Sequence, residues 1–461
     1  MNFIQLIFSS VVIIFTICLF PVKTLAVESP IAIFHAFDQQ YNNIEQFVCE
    51  LGKQGYSHIQ IPPAQKSNAS PQWWGRYQPV DYRVIEGRGG QKDLKKLIDK
   101  AHSCNIKVIS DVVFNHMANL DGNDDFEDLS QFPGISVSDF HSALNRLGEN
   151  LCGINYSDNN RYTEINCWLG GLPDLIFTNK VKTIQKAHLK KLLDLGVDGF
   201  RFDAAKHIPA DIINEYINYV EQQSQRKTWN YLEVIADSDT LSKDYNWIAP
   251  VTDYVLYNSM KNAFTFGGDL RSLRLTTNVN ESRSVTFGRN HDNIREINSY
   301  AINPYSERWD SFLATAYVLA RESGTPLVLN WDNEDASFIK YGVKFRSIMR
   351  QRQNQGKNVK ENILEIVDSP TLLLMERGGE GFFVVNKAEN KFNVSALDLT
   401  LTSLEGCYRE LRNNFTFAIE RRNNGKKFIT RWGTWNKSGM EVGRRDALYF
   451  IREPFNQCQT G

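Results

Sequence analysis

Four short polar motifs carry the side chains able to do chemistry: Asp111-Val112-Val113-Phe114-Asn115-His116, Gly199-Phe200-Arg201-Phe202-Asp203-Ala204-Ala205-Lys206-His207, Glu233 within Leu232-Glu233-Val234-Ile235-Ala236-Asp237, and Asn290-His291-Asp292-Asn293. In the second, Val197, Phe200 and Phe202 have the apolar look of a buried parallel strand, so Arg201 and Asp203 must be paired or must take part in chemistry. A structural ion pair at a strand end is the alternative reading of that segment alone, because such pairs also perturb carboxylates. Each of the other three motifs also follows a β-rich run, and four strand ends that each bury carboxylates or imidazoles have no obvious structural purpose.

The elements that must position these groups alternate from Ile31 onward. Strands are expected at 31–37, 58–61, 106–113, 199–203, 231–235, 254–257, 284–287 and 326–331. Helices are expected at 43–54, 91–103, 180–195, 211–223, 310–321 and 340–350. About eight β-then-α steps over some 330 residues predict an α/β fold, a closed (β/α)8 TIM barrel rather than an open sheet, with the functional groups at the C-terminal ends of its strands. Residues 27–116 and 174–366 would form this barrel. Residues 117–173, rich in Asn, Asp, Gly and Ser, are too long for a simple connection and predict a small inserted domain after the third strand. From 367 to 461 helical periodicity stops, and runs such as Gly381-Phe382-Phe383-Val384-Val385 predict a C-terminal antiparallel β-sandwich.

The chain of 461 residues has 52 Lys and Arg against 53 Asp and Glu. That balance offers no electrostatic attraction to nucleic acid or an anionic membrane. Residues 3–21 form an uncharged apolar run followed by Lys23-Thr24-Leu25-Ala26, which reads as a secretory signal spanning 1–26, with an uncleaved anchor as the alternative. No other stretch is apolar enough to span a bilayer. Cys18 lies in that segment, and Cys49, Cys104, Cys152, Cys167, Cys407 and Cys458 remain, an even number that suggests disulfides in an oxidising compartment. Pairing nearest neighbours (49 with 104, 152 with 167, 407 with 458) would put one bridge in each region. Several Asn-x-Ser/Thr sites, among them Asn68, Asn393 and Asn414, would be glycosylated only in a eukaryotic secretory route.

The four motifs, with Gly171-Leu172-Pro173-Asp174-Leu175 as a fifth, resemble the diagnostic segments of the α-amylase family of retaining glycoside hydrolases, family 13. Trp73-Trp74-Gly75-Arg76-Tyr77-Gln78-Pro79-Val80 and Gly196-Val197-Asp198-Gly199-Phe200-Arg201 are most similar to secreted animal-type and actinobacterial members. The resemblance implies Asp203 as nucleophile, Glu233 as acid/base and Asp292 as a third carboxylate gripping ring hydroxyls. Retention needs two carboxyls about 5 Å apart, one to attack the anomeric carbon and one to protonate the leaving oxygen. Arg201 would lower the pKa of Asp203, and burial would hold Glu233 protonated. His116 and His291 would bind hydroxyls of the same sugar, Trp74 and Tyr77 would form a stacking platform with Gln78 beside it, and Lys206 and His207 would serve the leaving-group side.

The resemblance also implies Ca2+ between barrel and insert, held by side-chain oxygens of Asn115 and Asp174 and the carbonyls of Ile165 and His207. Chloride, which some relatives hold with an Arg like Arg201 and an Asn like Asn290, is not expected, because Leu327 stands where a basic ligand belongs. The activity implied is endo-hydrolysis of internal α-1,4-glucosidic bonds in starch, glycogen or maltooligosaccharides by a secreted monomer. An α-glucosidase, maltogenic or transglycosylating enzyme shares the same machinery, and a non-catalytic glycan-binding relative is the reading from another class.

Overall fold

The computed structural model describes residues 28–120, 129–143, 152–154, 156, 160–236, 242–275, 281–297, 301–364, 368–432 and 441–458. The proposed signal segment and parts of the insert lie outside them. Eight parallel strands close into a barrel in which every strand pairs with its neighbours in chain order: β1 (Ile33–His35), β2 (His58–Ile61), β3 (Lys107–Val112), β4 (Gly199–Phe202), β5 (Tyr231–Leu232), β6 (Val251–Thr252), β7 (Ser284–Thr286) and β8 (Thr325–Leu329). Around it run α1 (Tyr41–Gln54), α2 (Gln91–Ser103), α3 (Asn179–Leu195), α4 (Ala210–Gln223), α5 (Tyr254–Phe264), α6 (Arg308–Ala320) and α7 (Ile339–Asn354). Their apolar stripes, such as Leu94, Leu97, Ile98 and Ala101 on α2, are buried in the main core. α1 and α3 stop at Gly55 and Gly196, both with positive φ.

One strand expectation is corrected. Residues 254–257 are the first turn of α5, and the sixth strand is the pair just before them. Asp253 caps that helix by accepting from Leu256 N at 2.9 Å, and Tyr254, Tyr257, Met260 and Phe264 repeat at helical spacing on its buried face. No α-helix separates β5 from β6 among the described residues. Gly199 opens β4 because the carbonyl of Trp229 lies 1.8 Å from where a Cβ would be. Any larger residue would push β5 away.

The C-terminal region is antiparallel, as its alternating runs predict. Strands β9 (Glu361–Ile363), β10 (Leu372–Arg377), β11 (Gly381–Asn386), β12 (Gly406–Glu410), β13 (Thr416–Arg421), β14 (Lys427–Trp432) and β15 (Asp446–Glu453) form one sheet in the order β9-β10-β11-β15-β12-β13-β14, accompanied by a ribbon of Phe392–Asn393 and Glu441–Val442. Alternate residues serve two cores. Leu374, Phe382, Val384 and Phe450 pack with Val394 and Val442 on one face, whereas Met375, Phe383, Val385 and Tyr449 join the barrel's core on the other. The Tyr449 hydroxyl donates to Ala316 O on α6 at 3.0 Å. The three disulfides link Cys49 to Cys104, Cys152 to Cys167 and Cys407 to Cys458.

Candidate active site

The barrel register brings the motifs together. Asp111 pairs with Arg201 across β3 and β4, and Phe202 pairs with Leu232 across β4 and β5, so Asp203 and Glu233 are each the next residue on adjacent strands. Glu233 N donates to Phe202 O at 3.0 Å, and Asp203 N to Val112 O at 2.9 Å, which extends the pairing to the strand ends. Side chains at one level of neighbouring strands stand about 5 Å apart.

Arg201 is the hub beneath them. Its Nη1 donates to both Asp111 oxygens, at 2.8 and 2.7 Å, and to Asp203 Oδ1 at 2.7 Å, while Nη2 binds Glu233 Oε1. Arg201 is 3% exposed, so it supports the site from below rather than lining it. Ala204 adopts a left-handed φ of 46°, which turns its N–H onto Glu233 Oε2 at 2.9 Å. A non-glycine residue in that conformation stores local strain beside functional carboxylates.

The expected order of acidities is reversed in this geometry. Burial and the neighbouring carboxylates Glu233 and Asp111 push Asp203 well up despite Arg201, and burial pushes Asp111 up to about 6. Glu233 is held below the usual range because Arg201, His291 and the Ala204 amide outweigh its burial. Asp292 is pushed well up by burial and by the charge of Glu233. One guanidinium cannot neutralise four carboxyls, so protons are shared across the group rather than owned by one residue.

The carboxyls Asp203, Glu233 and Asp292 open on a cleft of about 510 Å³, whose wall also includes Trp74, Tyr77, Gln78, His116, Lys206, His207 and His291. All the residues proposed from the sequence for catalysis or sugar binding therefore reach this cleft or, in the case of Arg201, its floor. His291 is sandwiched between Phe37, at 4.8 Å, and Tyr77, at 5.2 Å. Burial and Arg201 lower it to about 3, and burial lowers His116 to about 4, so both rings are neutral near pH 7. His116 Nε2 donates to Tyr77 O at 2.9 Å, and the Tyr77 hydroxyl donates to Asp111 Oδ2 at 3.2 Å. Trp74 is 40% exposed over the cleft. Lys206 Nζ donates to Ile235 O at 3.1 Å and lies 4.3 Å from the Tyr156 ring. Trp73, Tyr156, Leu169, Leu172, Ile235 and Ile302 complete the wall and were not foreseen from the sequence. Apolar and aromatic residues in loops carry no local signal separating cleft from core.

The residues proposed to hold a cation fall into two contacting pairs, and no cluster of three or more His, Cys, Asp or Glu able to hold a metal occurs among the described residues. An isolated bridge pairs His116 with Asp174, and Leu175 N donates to Asn115 O at 2.9 Å. Asn115 Oδ1 is buried without a hydrogen-bond partner, and burial raises Asp174 to about 6 although His141 Nδ1 lies 2.6 Å away. Glu164 O accepts from His207 Nδ1 at 2.9 Å, bringing the short helix Arg161–Asn166, which contains Ile165, against the His207 loop. An orphaned amide oxygen beside a buried carboxylate is a donor set that suits a hard cation. Leu327, on β8, is buried and apolar, and Asn290 Nδ2 donates to the Tyr254 hydroxyl at 3.0 Å.

Comparison with known proteins agrees with this architecture. A family model described as α-amylase, catalytic domain, matches residues 53–246. The chain is 31% identical over 350 residues to an α-amylase of Phaedon cochleariae, covering 70% of each, and 29% identical over 401 residues to an α-amylase of Aeromonas hydrophila, covering 77% of this chain and 84% of that one. Among solved structures, a variant of α-amylase I from Eisenia fetida in complex with maltohexaose superposes with a TM-score of 0.73 at 20% identity, over 92% of this chain and 97% of that one.

Proposed function

The chain belongs to the α-amylase family of glycoside hydrolases, and from that premise we propose that it is a secreted, endo-acting α-amylase that cleaves internal α-1,4-glucosidic bonds of starch, glycogen and maltooligosaccharides with retention. The observation that carries this reading is the placement of Asp203 and Glu233 at one level of adjacent strands, bound to the same guanidinium. That arrangement supports the short separation of about 5 Å suited to a nucleophile and an acid, rather than the wider gap that accommodates a water.

In this mechanism a carboxylate oxygen of Asp203 attacks the anomeric carbon while Glu233 protonates the departing oxygen. Water, activated by Glu233 as base, then cleaves the glycosyl ester. Asp292, held protonated by burial and by the charge of Glu233, supports a proton supply. Moving that proton onto Glu233 leaves Asp292 anionic, facing the ring hydroxyls and the positive charge that develops on the sugar. Neutral His116 and His291 would hydrogen-bond hydroxyls of the same ring. Asn115, Asp174 and the carbonyls of Ile165 and His207 would hold Ca2+, which when bound supplies positive charge tying the insert to the loop after Asp203.

A linear α-glucan as substrate is supported by the maltohexaose bound to the Eisenia fetida relative. Secretion is supported by the three disulfides and by the apolar segment 3–21. In this reading residues 1–26 are removed, 27–116 and 174–366 are the barrel, 117–173 the insert and 367–461 the C-terminal unit, and the mature enzyme is a monomer.

The test is hydrolysis of soluble starch with and without a chelator, with products resolved by chain length and anomer. Mixed maltooligosaccharides of α configuration, lost on chelation and restored by calcium, are expected. Glucose alone, released from chain ends, would sink the endo reading, and β products would sink retention. Trp74→Ala should raise KM for maltooligosaccharides about three- to tenfold with little change in kcat, because a stacking aromatic contributes about 0.5–1.5 kcal/mol of binding. An unchanged KM would remove Trp74 from the platform.

A further inference from the structure

A second, smaller cleft of about 60 Å³ lies between the loop that carries Asp292 and the first turn of α6. Three arginines line it, Arg289, Arg295 and Arg308, together with Tyr305, Ser306 and Ser311. Among the described residues Glu296 is the one carboxylate on its wall, and it is exposed.

Two of the lining side chains are buried and incompletely satisfied. Arg289, 4% exposed, donates Nε to Asp332 Oδ1 at 2.7 Å, yet its Nη2 has no hydrogen-bond partner among the described residues. Tyr305, 7% exposed, leaves its hydroxyl without a partner as well. Buried donors left unpaired are costly and rare in folded proteins, so two on one cleft point to an acceptor between them.

The helix contributes to the same preference. Glu307, the N-cap of α6, makes no side-chain hydrogen bond to the first turn; its carboxylate instead pairs with Arg445 at 2.6 Å. Asp310 N is satisfied by Glu307 O at 3.2 Å, and the positive end of this 13-residue helix borders the cleft through Arg308 and Ser311. Phe312 fixes two of the guanidiniums, with Arg289 5.0 Å and Arg308 5.3 Å from its ring centre. Arg308 is shared with Asp335 yet keeps further N–H donors, whereas Ser311 Oγ has given its one proton to Arg308 O at 2.6 Å.

We propose that this cleft binds a small oxyanion, a phosphate or a carboxylate, between Arg289, Arg295, Arg308 and the start of α6. The fork of a guanidinium matches the paired oxygens of an oxyanion, a match that a spherical halide cannot make. The space is too small for a pyranose. Asn293 also lines the cleft, so the anion ties the Asp292 loop to α6 and stabilises the fold.

The experiment is calorimetric titration of the full chain with inorganic phosphate, acetate and chloride at constant ionic strength, paired with thermal unfolding. Saturable binding of phosphate, or of phosphate and acetate, is expected, with a rise in Tm; which anions bind identifies the oxyanion. Arg295 and Arg308 are exposed, so the Arg295→Ala/Arg308→Ala double variant should fold, bind at least about tenfold more weakly and lose the Tm response. Glu296→Gln should tighten binding by removing the wall's own carboxylate. No saturable oxyanion binding, equal binding of chloride, or affinity unchanged in the double variant would each overturn the proposal.

Discussion

Asp203→Asn is expected to lower kcat on starch by roughly 10⁴- to 10⁶-fold, the scale on which removing a nucleophile acts, while leaving the folded state intact. Loss of the nucleophile removes the covalent step, and the neighbouring carboxyls cannot replace it. Glu233 is held by the Ala204 amide and Arg201, and Asp111 lies fully buried against Arg201. Stability should hardly change, because Asn conserves shape at a position where burial already disfavours the charge, and Arg201 keeps Asp111 and Glu233 as partners. The measurement pairs initial rates of reducing-end release with calorimetric unfolding of the same preparation. Turnover near that of the parent chain would overturn the assignment, whereas loss of activity with a large fall in Tm would leave Asp203 as a structural ion-pair residue.

Arg201→Gln is expected to have the largest effect on stability, a loss of about 3–5 kcal/mol near neutral pH, as when one partner of a buried ionic cluster is removed. Arg201 is the only guanidinium in contact with Asp111, Asp203 and Glu233 among the described residues. Asp111 already sits at about 6 with Arg201 present, and without it all three carboxyls rise. A carboxyl whose folded pKa exceeds its unfolded value of about 4 binds its proton more tightly in the native state. The stability this contributes is present below about pH 4 and is lost as pH rises through the folded pKa. The deficit of the variant should therefore shrink toward pH 4–5 and grow as pH rises past about 6 toward the raised pKa values of the variant. Measuring unfolding free energy at pH 5 and pH 8 decides this; an equal deficit at both would mean that Arg201 contributes packing rather than charge.

Much of the site could be read before folding because its groups end strands. Asp111, Asp203 and Glu233 each follow or close a short apolar run, and the alternation of runs with amphipathic helices sufficed to predict a closed barrel whose strand ends meet. The acidity order could not be read in that way. Arg201 lies two residues from Asp203, and by sequence the two make a local pair that would lower the pKa of Asp203. In the fold Arg201 also meets Asp111 and Glu233, and burial reverses the outcome for Asp203. Residues 254–257 illustrate a different limit. Four residues with two tyrosines fit a strand or a helix equally, and the choice fell to Asp253, which caps the helix, and to Val251–Thr252, which fills the gap between β5 and β7.

The sequence by itself determined the barrel and the antiparallel C-terminal region, because periodicity is a local property of the chain, and its family resemblance singled out the carboxyls that meet at the cleft. Nearest-neighbour pairing of the cysteines, which the sequence left open, is the one that the fold makes. Only the tertiary structure decided which carboxyls Arg201 gathers, that it lies under the cleft rather than in it, and that His141 accompanies Asp174. It alone assembled the cleft at the start of α6, bringing Arg289, Arg295 and Arg308 onto one wall. Desolvation and Coulomb interaction depend on distances between segments far apart in the chain, and those distances come into existence only when the barrel closes.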